Sequence, residues 1–145
     1  MAMLPFCGYN MADYFAHWLR VGSMTDASKL PKIFFVNWFR RDESGRFLWP
    51  GYGENSRVLK WVFERISGSA EAVRTAIGDL PAPGALDLDG LDVSEADMAE
   101  LLKVDADGWK GAIPQIQQHY AQFGDKLPDA LDAQLGHLAA ALLNG

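Results

Sequence analysis

Apolar residues recur at helical spacing along much of the chain, with one interruption that reads differently. Met11, Tyr14, Phe15, Trp18 and Leu19 share one face of a helix. Asn10 is placed to cap it, with Asp13 adding negative charge in the first turn, and Gly22 can end it in the left-handed conformation. Ile33 to Phe39 then forms a run of strand formers with apolar side chains on both faces, so the pattern predicts a strand buried on both sides. Asp42-Glu43-Ser44-Gly45 is a turn, and Phe47-Leu48-Trp49 can return as a short strand. Pro50, Gly51 and Gly53 interrupt regular structure. Asn55 or Ser56 is expected to cap a second helix, whose stripe is Val58, Leu59, Val62, Phe63 and Ile66, with Gly68 beyond its end.

Residues 68–92 are rich in Gly, Pro and Asp and read mostly as loop. Ser94 and Asp97 make a capping pair ahead of Met98, Leu101 and Leu102. The tail reads as a helical hairpin. Trp109, Ile113, Ile116, Tyr120 and Phe123 make one stripe, and Leu131, Leu135, Leu138 and Leu142 the other. Gly124 and Pro128 separate them, and Pro114 starts or kinks the first helix. Helices outnumber strands. The expected class is α/β, and α+β within this stretch: mostly helical, with one or two strands that would join a larger sheet.

At 145 residues the chain has the size of one domain. Its net charge of −6 argues against nucleic acid as the main partner. The charge is uneven: residues 1–63 hold eight Lys/Arg and five Asp/Glu, residues 64–145 five and fourteen. Only Trp109, Tyr120 and Phe123 among the aromatics lie beyond Phe63. Any site chemistry is therefore expected in the first part. Cys7 is the single cysteine, so no internal disulfide forms, which fits a reducing compartment. The N-terminus lacks the basic and apolar regions of a signal peptide. No apolar run approaches the roughly 18 residues that would span a bilayer, so no membrane role is expected.

The segment from Ile33 to Arg57 carries seven aromatic residues beside arginines and a Gly-x-Gly-x-Asn turn. Phe39, Phe47 and Tyr52 can sandwich a flat base, and stacking contributes about 1–3 kcal/mol per base. The amide of Asn55 can choose between bases, because it offers a donor and an acceptor in one plane. The opposing reading is that these residues pack a core and cap a helix. Gly51-Tyr52-Gly53-Glu54-Asn55 precedes a helix and its N–H groups can meet an anion or a base edge, although it is neither a Walker A loop nor a dinucleotide fingerprint. Arg40, Arg41, Arg46 and Arg57 are candidates for phosphate contact or plain solvated charges. His17, His119 and His137 lack metal-binding spacing, Cys7 has no nearby histidine, and Asp87 and Asp89 lie in loop sequence. No catalytic constellation is complete.

Several blocks together resemble a known family. Ala2-Met3-Leu4-Pro5-Phe6-Cys7-Gly8-Tyr9-Asn10, His17-Trp18-Leu19, Leu30 to Arg40 and Phe47 to Leu59 look like the C-terminal part of GTP-dependent phosphoenolpyruvate carboxykinase. Gly84-Ala85-Leu86-Asp87-Leu88 and Asp92 to Leu101 fit less specifically. The family reversibly converts oxaloacetate and GTP to phosphoenolpyruvate, GDP and carbon dioxide, with Mn²⁺ and Mg²⁺. It is a cytoplasmic, gluconeogenic lyase, and the resemblance implies a monomeric full-length enzyme. The resemblance implies that Phe39, Phe47 and Tyr52 surround guanine, and that Asn55 with the backbone of Tyr52, Gly53, Glu54 and Asn55 reads its edge. Trp38 would be structural support. Position 52 is usually Phe in the family, and Tyr keeps the ring; Cys7 is not the family's reactive cysteine.

The resemblance implies a division into a guanine-pocket region (1–67), a loop-rich connector (68–92) and a helical tail (93–145). The family's phosphate loop, metal ligands and substrate arginines lie upstream of the match. The expectation is a C-terminal fragment, or a split or mis-started frame, that binds guanine nucleotide but does not catalyse alone. A non-enzymatic helical protein-interaction module is the alternative, and an aromatic carbohydrate site a weaker third.

Overall fold

The computed structural model describes residues 6–144 and bears out a mostly helical α+β fragment. Five helices run in order: α1 (Met11–Ser23), α2 (Asn55–Ser67), α3 (Glu95–Leu102), α4 (Ala106–Ala121) and α5 (Asp129–Asn144). Between α2 and α3 lies an antiparallel hairpin of β1 (Ala72–Thr75) and β2 (Gly78–Pro81). The chain packs as two compact units. The stretch up to Pro31 joins the stretch from Asp105 onward, and Lys32–Val104 forms the second.

In the first unit Asn10 caps α1 as its sequence position predicts. Its Oδ1 accepts from the Ala12 N–H at 2.9 Å while its Nδ2 donates to the Phe123 carbonyl at 3.0 Å. One side chain thus starts a helix and ties it to the end of α4. Met11, Ala12 and Phe123 are buried together, with Cys7, Tyr14, Phe15, Tyr120 and Leu127 packed around them. The Phe15 and Phe123 rings meet edge to face at 5.5 Å. Cys7 donates to the Met11 sulfur at 3.2 Å, a packing role. Trp18 and Leu19, expected on the buried face, are exposed. Gly22 does not end the helix: it stays helical, and α1 closes at Met24 in the right-handed region. The tail forms the expected helical pair, α4 continuing through Pro114 and α5 burying Leu135 and Leu142.

The second unit departs more from expectation. Ile33 to Phe39 pairs with no strand among the described residues; Ile33 is 92% and Phe35 97% exposed. A strand forms only where another supplies its hydrogen-bonding ladder, and here none does. Phe47-Leu48-Trp49 makes only one bridge, Phe47 with Arg41. The described sheet lies instead inside residues 68–92, where Val73 and Thr75 pair with Leu80 and Gly78. Gly78 turns there with a φ of 126°, and the Thr75 hydroxyl donates to its carbonyl at 2.7 Å. The abundance of Gly and Pro masked a strand pair too short for alternation to show.

Helix α2 buries Trp61, whose indole donates to the Glu71 carbonyl at 3.3 Å and meets Phe34 edge to face. Leu59, Phe63 and Ile66 of the expected stripe are exposed. Gly68 caps its C-terminus at a φ of 80°, as expected. Ser94 and Asp97 close a reciprocal capping box on α3.

Candidate functional site

A tight turn holds the first two aromatic candidates. Asp42 Oδ1 accepts from the Ser44 N–H, the Ser44 hydroxyl and the Arg46 N–H at 2.7–3.0 Å. Gly45 completes the turn at a φ of 85°, and Leu48 N–H returns to the Arg40 carbonyl at 3.0 Å. The fold therefore brings Phe39 and Phe47 together, ring centroids 6.4 Å apart and planes inclined by 62°. Neither ring is sequestered: Phe39 is 73% and Phe47 45% exposed. Arg41 lies over the Phe47 ring at 4.0 Å, a cation–π contact. Trp38 beside them is half-buried.

Two arginines fasten this turn to α3. Arg46 donates to Asp42 at 3.1 Å and to Asp97 at 2.6 Å. Arg40 donates to Glu100 at 3.0 Å and to the carbonyls of Leu101 and Lys103 at the helix C-terminus. The hydrogen bond from Arg46, then that from Ser94, hold the Asp97 carboxyl below its ordinary range. Arg40 does the same for Glu100, and Ser44, with Arg46, for Asp42. Arg57 is spent on Glu54 at 2.6 Å and on Asp87. Arg40, Arg46 and Arg57 are thus held by carboxylates within the chain, while the exposed Arg41 meets the Phe47 ring.

The remaining candidates cluster before α2. Gly51 has a φ of 84° and a ψ of −164°, which only glycine adopts readily. It launches a single 3₁₀ turn, Tyr52–Glu54, in which Tyr52 is 98% exposed. Gly53 has no such backbone demand, and a Cβ placed on it would meet nothing within 4 Å. The N–H groups of Glu54 and Asn55 close onto Gly51, Tyr52 and Gly53 carbonyls. The sequence predicts Asn55 or Ser56 as the cap of α2, and neither residue caps it. Glu54 occupies the cap position without a side-chain bond, because Ser56 turns back to the Gly53 carbonyl and Asn55 faces elsewhere. The indole N–H of Trp49, buried at 5% exposure, donates to Asn55 Oδ1 at 3.0 Å. No sequence pattern announced that bond.

Chemically, the arrangement offers exposed rings for stacking, an oriented amide and an unobstructed glycine. The described residues contain no group of three or more His, Cys, Asp or Glu that could hold a metal ion, so Mn²⁺ and Mg²⁺ chemistry is assigned to none of them. No described helix is long and apolar enough to cross a membrane.

Comparison with known proteins defines the class. The family model described as the phosphoenolpyruvate carboxykinase C-terminal P-loop domain matches residues 1–141. The chain belongs to the GTP-dependent phosphoenolpyruvate carboxykinase family. Among its relatives, the phosphoenolpyruvate carboxykinase [GTP] of Neocallimastix frontalis is 58% identical over 142 residues, covering 97% of this chain and 23% of that protein. The enzyme of the same name from Treponema pallidum strain Nichols is 56% identical over 142 residues, with the same two coverages of 97% and 23%. That of Arthrobacter sp. strain FB24 is 51% identical over 138 residues, covering 95% and 23%. The chain thus spans about a quarter of the length of these relatives.

Proposed function

We propose that this chain supplies the guanine-recognition part of a GTP-dependent phosphoenolpyruvate carboxykinase. The enzyme's reaction would be conversion of oxaloacetate and GTP to phosphoenolpyruvate, GDP and carbon dioxide, a cytoplasmic gluconeogenic step. Phe39, Phe47 and Tyr52 stack on the base, and Asn55 with the Tyr52–Glu54 turn reads its edge. The pocket then falls wholly within residues 1–67. The observation that carries this reading is the exposure of Phe39 and Phe47 on either side of a turn held by a dense set of hydrogen bonds, with Tyr52 exposed in the 3₁₀ turn that follows. Apolar burial normally contributes about 1.5–3 kcal/mol for a large side chain, and these rings forgo much of it.

The phosphoryl-transfer step is not assigned to any described residue. Equilibrium binding of fluorescent GDP and ADP tests the proposal. Preference for GDP is expected, with affinity for both nucleotides weakened in Phe47→Ala. Equal binding of the two, or a stable oligomer whose melting ignores nucleotide, would favour the interaction-module reading instead.

A further inference from the structure

Resting on the reading of Asn55 as the base reader, we infer that Trp49 is the positioning residue that makes this site choose guanine over adenine. A carboxamide is ambiguous: turned by half a revolution, it exchanges its donor for its acceptor with almost no change in shape. An unrestrained Asn55 could therefore serve either purine. Indole N–H is donor-only, so a bond of 3.0 Å from Trp49 Nε1 can only be made to the oxygen. Trp49 is buried, which fixes the indole. The amide is locked with Oδ1 toward Trp49, and no described residue accepts from Nδ2. The hydrogens on offer are donors.

At the position where guanine carries the O6 acceptor, adenine carries an amino group that is itself a donor. A donor amide satisfies the first and leaves two donors facing each other with the second. Selectivity thus resides one residue behind the reader, in a tryptophan that need not touch the nucleotide. In the neighbouring turn the N–H groups of Glu54 and Asn55 are already engaged by carbonyls of the turn, so they do not duplicate the donor that the amide offers.

The test compares GDP and ADP dissociation constants for this chain and for Trp49→Phe, Asn55→Ala and Asn55→Asp. Trp49→Phe keeps an aromatic six-membered ring and removes the five-membered ring that bears the N–H donor. It is expected to reduce the GDP/ADP preference about tenfold, mainly through weaker GDP, as loss of one orienting hydrogen bond implies. Asn55→Asp keeps an acceptor for Trp49 but presents only acceptors outward, and is expected to reverse the preference toward ADP. A purely structural role would not reverse it. An unchanged preference in Trp49→Phe, with loss in Asn55→Ala, overturns the role of Trp49 and leaves Asn55 as reader. An unchanged preference in Asn55→Ala, or no preference in the parent chain, overturns both. Should Trp49→Phe fail to fold, hydrogen exchange of the Trp49 indole in the parent chain decides: slower exchange than in Asn55→Ala supports the bond, and equal exchange overturns it.

Discussion

Arg46 reaches Asp97 at 2.6 Å across fifty-one residues of chain, while its Nε holds Asp42 at 3.1 Å. The aromatic turn is therefore anchored to the same aspartate that closes the capping box of α3. The Asp97 carboxyl is held below its ordinary value of 3.8, chiefly by the Arg46 bond. A depressed carboxylate contributes stability that is fully present above the unfolded value and lost as pH falls through the folded one. The expected outcome is that the turn loosens and α3 frays below about pH 4. Amide shifts of Arg46, Phe47 and Asp97 across an acid titration check this. Asp97→Asn should mimic the acid form at neutral pH.

Gly53 and Gly51 should respond oppositely to alanine. At Gly53 the backbone is helical and the space open, so Gly53→Ala should stabilise by about 0.4–1 kcal/mol by restricting the unfolded chain. It should also weaken GDP, whose base needs the room. At Gly51 the backbone is one that alanine adopts only under strain, so Gly51→Ala should cost about 1–3 kcal/mol. Thermal melting and GDP titration of the two variants separate these effects.

Tyr52 is solvent-exposed and should be dispensable for folding. Tyr52→Ala is expected to change stability by less than about 0.5 kcal/mol while weakening GDP by about 5- to 150-fold, the range of a stacking contact. Tyr52→Phe should retain binding. Equal losses of stability and affinity in Tyr52→Ala would count against a stacking role.

Asn10 should matter for folding and not for nucleotide. Asn10→Ala removes a helix cap and the bond to the Phe123 carbonyl, at an expected cost of about 1–3 kcal/mol. Asn10→Asp keeps the cap and loses only the donor, so a chemical denaturation series on both apportions the two bonds.

What could be read from sequence follows the range of the interaction. Asn10, Gly68 and the Ser94–Asp97 pair act within a few residues of themselves, and all three do what their spacing predicts. Phe39 and Phe47 sit together because a four-residue turn signal lies between them. The Ile33–Phe39 ladder could not be settled from composition, because a strand is a property of two segments and no described segment pairs with this one. Trp61 was missed because its indole N–H meets the Glu71 carbonyl beyond the helix, so a polar bond decides which face turns inward. Arg46–Asp97 and Trp49–Asn55 are individual choices among many possible partners, and no periodicity encodes them.

The shared use of Asp97 makes the aromatic turn and the first turn of α3 a single thermodynamic unit. Whatever free energy α3 lends to ordering Phe39 and Phe47 is returned when those rings are held by a ligand, since linkage is reciprocal. Nucleotide binding should then slow amide exchange at Met98 and Ala99, in a helix outside the proposed pocket. Exchange there becomes a remote gauge of occupancy at the rings.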